Sequence, residues 1–400
     1  MRVYLGAFGD AGHAFPMLAF GEALVARGHS VVLQTWRHWA PHVTAGGMDF
    51  AAAPEYPVFP TREQPLAPYA AAVRAARETV PSVRRAAPDV VVADILTVAP
   101  ALAAELCGVP AATLVPHVFP WAAPGFPPYS AGGRLPRTRL GARAWRAFDP
   151  LVARGLERGR DEYNACRVRL GLRPLECLHP ALSRELTLVA TLPQLEYPRD
   201  WPAWTRITGP LLWEPPGERA DPPPGGGPVV LIAPSTAQDP GHRLLRAALA
   251  GLAHAPVRVI ATFNGREPDP PVRTPPNAVL VPWLSYARTM AACDLVVTHG
   301  GHGTLVRALA CGCPVVVCPA GGDMAENAAR ADWAGAGVRL PGRLLGPRAL
   351  RLAVERALGQ PELRARARSL AAWTGRHDGA VAAAGALEAW AGRMRSTRAG

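Results

Sequence analysis

Short β-rich runs alternate with helical stretches along this chain, and that alternation restricts the fold more than any other feature. The first half carries RVYLG, HSVVLQT, PDVVVAD and PAATLVP, and the second carries PVVLIAP, VRVIA, NAVLVP, DLVVTH and PVVVCP. Runs so continuously apolar, separated by amphipathic stretches, belong to parallel sheets covered by helices on both faces. Between the two sets lies WEPPGERADPPPGGGP, Trp213 to Pro228, too rich in Pro and Gly to sustain helix or strand. It nearly bisects 400 residues, a length that exceeds one typical domain. The expectation is an α/β protein of two doubly wound, Rossmann-like domains facing across a cleft: residues 1–213, a linker at 214–228, residues 229–375, and a closing segment at 376–400. Ligands of such sheets bind beyond the carboxyl ends of the strands.

Composition limits the function classes. With 49% hydrophobic and 18% charged residues the chain reads as soluble and globular, and no stretch approaches the roughly 18 consecutive apolar residues of a membrane span. The first residues resemble a strand and lack the apolar core of a leader, so a cytoplasmic location is expected. Seven cysteines, an odd number without a CxxC pair, fit that compartment, and Cys293, Cys311, Cys313 and Cys318 lie in apolar surroundings suited to packing. Net charge is +12 and every basic residue is arginine, which reads first as codon bias. A basic balance favours an anionic ligand or membrane surface. Nucleic acid is excluded, because the arginines are scattered and no zinc, RRM or helix-turn-helix signature occurs.

Two strand ends carry unusual turns. THGGHGT, Thr298 to Thr304, follows an apolar strand and leads into LVRALA. Backbone N–H groups at a helix start, with about half a unit of dipole charge, form an anion site that glycines open to phosphate. His299 and Thr304 add side-chain donors, and the competing reading is an ordinary tight turn. At the N-terminus GAFGDAGHAFP places Gly6, Gly9 and Gly12 as GxxGxxG, not the dinucleotide GxGxxG. Walker A, HExxH and GxSxG motifs are absent as well. His13 stands at the start of the following helix, and Asp94 ends the strand DVVVAD of the same domain. A carboxylate on Nδ1 would fix the tautomer of His13 and leave the other nitrogen as general base. Asp94 could equally cap the next helix.

Together these blocks resemble the inverting nucleotide-sugar glycosyltransferases of family 1, with the two-domain GT-B fold, especially the bacterial natural-product enzymes. GHAFPMLAFGEALVARGHSV carries the N-terminal signature, and VPWLSYARTMAACDLVVTHGGHGTLVRALACGCPVVVCPAGGDMAENAARADWAGAG the donor-domain signature. DGAVAAAGALEAW, Asp378 to Trp390, is similar to the last helix of that family, which crosses back onto the first domain. The resemblance implies His13 as base and Asp94 as its orienting acid. It implies a diphosphate cradle of His299, Gly301, Gly303 and Thr304 with Ser235 and Thr236, stacking of the nucleobase on Trp283, and donor-sugar contacts from Asp323 and Met324.

The implied reaction needs no cofactor and no metal, with a nucleotide sugar as co-substrate and a small-molecule aglycone as partner. The loop VPHVFPWAAPGFPPYS, Val115 to Ser130, is read as acceptor lining through Phe119, Trp121 and Phe126, unless its aromatics plug the domain edge. Met324 stands where many relatives have Gln, and Arg307 where users of UDP-sugars have a ribose-binding Glu. Both losses favour a dTDP-deoxysugar over a UDP-sugar. Alternatives are a lipid or terpenoid acceptor at the membrane, and a catalytically silent GT-B partner. O- versus C-linkage and oligomeric state stay open, a weak homodimer included.

Overall fold

Val, Ile and Leu at consecutive positions suit strands buried on both faces, and the computed structural model places almost every apolar run in one of two parallel sheets. It describes residues 1–55, 69, 71–121, 123–235 and 239–399. The first sheet contains β1 (Arg2–Gly6), β2 (Ser30–Thr35), β3 (Asp49–Ala52), β4 (Val90–Asp94), β5 (Ala111–Val115), β6 (Thr187–Val189) and β7 (Thr205–Ile207), in the order β3-β2-β1-β4-β5-β6-β7. The second contains β8 (Val229–Ala233), β9 (Arg258–Thr262), β10 (Ala278–Val281), β11 (Leu295–Thr298), β12 (Val315–Val317) and β13 (Gly337–Arg339), in the order β10-β9-β8-β11-β12-β13. All pairings are parallel. Strand order reverses between β1 and β4 in one sheet and between β8 and β11 in the other. Those two reversal points are where a doubly wound fold opens a crevice.

One apolar cluster joins the first sheet to helix Ala11–Ala26 and to the last helix, Gly379–Ala399, through Ala383, Leu387 and Trp390. Glu388 of that last helix binds Arg27 and, at 2.7 Å, His29, so the chain end is stapled beside the helix that carries His13. The second sheet is packed on both faces, and its inner cluster takes in Val118, Leu192 and Leu195 from the first unit.

The two units are also locked by charge. Arg330, on helix Met324–Trp333, reaches Glu196 Oε2 and the Leu195 carbonyl at 3.1 Å each and Glu326 at 2.8 Å, with its guanidinium 3.6 Å from the centre of the Tyr197 ring. Glu196 in turn accepts the Phe119 N–H. Residues 208–228 form neither helix nor strand, and Trp213 within them packs on Phe15 and Trp39 while donating to Glu22.

Candidate active site

The residues singled out after β1 and β4 meet at the first reversal point. Asp10 caps helix Ala11–Ala26 by accepting from the Gly12 N–H, which sets His13 in the first turn. Its Nδ1 lies 2.9 Å from Oδ1 and 2.8 Å from Oδ2 of Asp94. A carboxylate only accepts, so Nδ1 carries the proton and Nε2 is left on the partly exposed side of the ring. Asp94 does not cap the next helix: that helix starts at Ala99 with Val98 before it and no side-chain cap. It instead accepts from the Phe8 and Leu96 N–H groups and is buried. Burial opposes charge on His13, but the charge and hydrogen bond of Asp94, helped by Asp10 and Asp323, prevail and raise its proton affinity.

At the second reversal point β11 delivers His299 beside the end of β8. Its Nδ1 lies 3.2 Å from the Ala233 carbonyl, which fixes the proton on Nδ1 and turns Nε2 toward Gly301. Gly300 is left-handed, with φ +92°, and a Cβ there would meet the Met324 carbonyl at 3.0 Å. That turn lets Gly301 precede helix His302–Ala310, with Gly303 exposed and Thr304 half-buried in its first turn. Burial lowers the proton affinity of His299, offset in part by the Ala233 bond and by Asp323, Asp10 and Asp239. Ser235 is buried just past β8, and Thr236 lies outside the described residues. Asp323 precedes helix Met324–Trp333 half-buried, 3.4 Å from Asn327 Nδ2, and its charge is felt by His13, His117, His299 and His302 alike. One carboxylate therefore looks onto groups from both sheets. Met324 is buried against Gly300, and Trp283, after β10, is 44% exposed.

Two sequence readings are corrected. Phe119 is fully buried, packed with Trp121, Trp201 and Trp204 and under the Arg199 guanidinium, so it seals the domain edge and cannot line an acceptor pocket. Trp121 stacks on His179 at 4.5 Å, and Phe126 sits edge-on to Tyr197 beside Arg199, so both are only half-exposed members of that plug. Arg307 does not stand free near a nucleotide: it donates to the Trp213 carbonyl at 2.8 Å and lies 3.9 Å from Glu214, tying helix His302–Ala310 to the linker.

Residues 246–376 match the family described as erythromycin biosynthesis protein CIII-like, C-terminal domain. Over 413 residues the chain is 30% identical to 4'-demethylrebeccamycin synthase of Lentzea aerocolonigenes, covering 92% of this chain and 94% of that protein. The chain belongs to the glycosyltransferases of antibiotic biosynthesis. This glycosyltransferase is also 29% identical over 434 residues to O-mycaminosyltylonolide 6-deoxyallosyltransferase of Streptomyces fradiae, with 98% of each chain covered. Its GT-B fold superimposes on the kitacinnamycin glycosyltransferase with a TM-score of 0.77 at 22% identity, and on the calicheamicin glycosyltransferase CalG4 with 0.72 at 23%, covering 97% and 98% of this chain and 98% and 99% of those structures.

Three site residues escaped the sequence reading. His117, just past β5, holds its ring 6.5 Å from that of His13, edge-on, and its Nδ1 is 3.2 Å from Tyr129 Oη. His302 is buried beside Asn327 and the Ala190 backbone, and burial, with His117 adding to it, pushes its pKa down to about 4. The signal for His117 was available, since it follows the end of a third strand of the same sheet as His13 and Asp94. Tyr129 lies in the loop read as acceptor lining but was not singled out there, because only the loop's course returns it to the cleft. No helix among the described residues is long and apolar enough to cross a membrane.

Proposed function

We propose that the glycosyltransferase moves a deoxyhexose from a dTDP-sugar to a hydroxyl of a small apolar natural product in the cytoplasm, with inversion at the anomeric carbon. His13 Nε2 takes the proton of the acceptor hydroxyl, whose oxygen attacks the anomeric carbon. As that bond forms, the bond from the anomeric carbon to the diphosphate oxygen breaks, and the nucleoside diphosphate leaves with the electron pair. Asp94 steadies the imidazolium that results. The leaving charge is met by the start of helix His302–Ala310, by His299, and by Thr304 and Ser235 around it, so the reaction proceeds without a metal ion. Asp323 holds the sugar, Trp283 stacks on the base, and the small-molecule aglycone lies on the side of His117 and Tyr129.

The observation that carries this reading is the two-pronged contact of Asp94 with His13 Nδ1, which leaves a basic nitrogen on the cleft side. His13→Ala should cut turnover by roughly 10²–10⁴ while donor binding persists. Turnover within a few-fold of the parent would remove His13 from the chemistry, and chelator-sensitive activity restored by magnesium would remove the metal-free route. The donor follows from Met324, whose thioether accepts no strong hydrogen bond from a sugar hydroxyl. A hydroxyl facing a thioether loses about 1–3 kcal/mol of hydrogen bonding that a deoxy position never had. Two structures of the same fold, VinC and SsfS6, each at 21% identity, are complexes with dTDP and thymidine diphosphate. Competition binding decides it: dTDP should outcompete UDP, and equal affinities would end the deoxysugar proposal.

A further inference from the structure

Beyond the cleft, the loop from Tyr129 continues into helix Arg139–Arg146 and then into helix Asp149–Arg169. The first rests on the loop through Ala142, near Gly125, and Trp145, near Gly133. Its opposite side is unusual. Leu140, Phe148 and Leu151 are 77%, 47% and 67% exposed, and with the exposed Ala144 they recur at intervals of three and four, which puts them on one stripe. Large apolar side chains in such a row, open to water, mark an interaction surface.

Charge selects the partner. Arg137, Arg139, Arg143, Arg146 and Arg154 flank the stripe, all exposed and, among the described residues, none of them in an ion pair, and Asp149 is the lone acid between residues 135 and 156. A helix with an apolar stripe bordered by arginines lies at a bilayer interface, its aliphatic groups among the acyl chains and its guanidiniums at the phosphates. A nucleic acid would meet the arginines but have no use for Leu140 and Leu151, which offer bases nothing to stack on. A protein partner would need carboxylates opposite five arginines, whereas an anionic leaflet supplies phosphates without a matched geometry. We infer that helix Arg139–Arg146, with the first turn of the helix after it, docks this enzyme on an anionic membrane surface. The patch follows closely in the chain on cleft residues: seven residues before Arg139 the Gly132 carbonyl is held by Arg339 of the second unit, and His117 and Tyr129 lie on the same stretch. Docking there would bring the acceptor side of the cleft close to molecules that partition into the bilayer.

Co-sedimentation of the full-length protein with vesicles tests this. Binding should occur to mixed phosphatidylcholine–phosphatidylglycerol vesicles, fall away with added salt, and be at least tenfold weaker to phosphatidylcholine alone. Each of Arg139→Gln, Arg143→Gln and Arg146→Gln should weaken it roughly fivefold. Leu140→Asp with Leu151→Asp should weaken it at least tenfold, with thermal melting and donor hydrolysis unchanged because both side chains are solvent-exposed. Equal binding to both vesicle types, or no binding to either, overturns the inference. So does loss through the arginine changes with none through the leucine changes, which would mark a surface that binds any polyanion. A dimer in sedimentation velocity that Leu140→Asp dissolves, in a protein that ignores vesicles, would assign the patch to a second copy of the chain.

Discussion

At the scale of single residues, two imidazoles carry opposite pH behaviour. The pair of His13 with Asp94 raises the proton affinity of His13, so the stability it contributes is present below the ordinary imidazole value and lost as pH rises through the raised one. With His13 as the proposed base, Nε2 has to be free, so kcat/KM should climb over that same interval, with a midpoint above 6.5. Asp94→Asn leaves burial as the larger influence. The limb should move to lower pH while the plateau drops by roughly 10²–10⁴, and an unmoved limb would mean Asp94 does not set the basicity of His13. His299 runs the other way. Its Nδ1 proton is committed to the Ala233 carbonyl, so Nε2 can donate to a phosphate only when the ring takes a second proton. Burial keeps the empty site neutral, the facing carboxylates are those of Asp323, Asp10 and Asp239, and a diphosphate adds more negative charge. Diphosphate binding should therefore take up a proton and weaken by about tenfold per pH unit once pH passes the value in the complex. Calorimetry in two buffers of different ionisation enthalpy measures it, and zero uptake between about pH 6 and 9 would show that Nε2 does not donate.

Among elements, the turn between β11 and helix His302–Ala310 has its geometry fixed by an absent side chain. A Cβ on Gly301 would stand 2.4 Å from His299 Nε2, although the backbone there, with φ −59° and ψ 133°, accepts any residue. Gly301→Ala should displace the imidazole from the Ala233 carbonyl and weaken diphosphate binding at least tenfold, while the melting temperature moves by a few degrees at most. Unchanged affinity would mean the ring is not a ligand. The THGGHGT turn was legible because a strand end, glycines and a helix start follow one another directly in sequence. The long buried strands were legible for the same reason, since each apolar run records its own burial. β3, β6, β7 and β13 were not, being only three or four residues long and defined by their neighbours in the sheet. Phe119 misled for a related reason: an aromatic loop looks alike in sequence whether it lines a pocket or plugs an edge, and what decides is Trp201, Trp204 and Arg199, some eighty residues away. Arg307 was read at its own position, but its partners Trp213 and Glu214 lie in the linker.

Across the whole molecule, the two units are held by one buried arginine between two buried carboxylates, all with side chains no more than 3% exposed. Removing the cation strands both acids, at a cost of about 3–5 kcal/mol, so Arg330→Met should lower the melting temperature sharply. Adding Glu196→Gln and Glu326→Leu should restore most of the loss, and failure of that rescue would show the cluster to matter through shape and not charge. The same arginine has a mechanical consequence. Arg330 and Asp323 bracket one helix, seven residues apart, which at 1.5 Å per residue is an arm of about 10 Å. One end grips the first unit and the other reaches into the cleft. Rocking that arm by about 10° around its gripped end swings the carboxylate by roughly 2 Å, and a misplacement of even 1 Å can cost a reaction a hundredfold. The enzyme thus carries its own gauge: how firmly the halves are clasped is read out, through a rigid rod two turns long, as where the Asp323 carboxylate comes to rest.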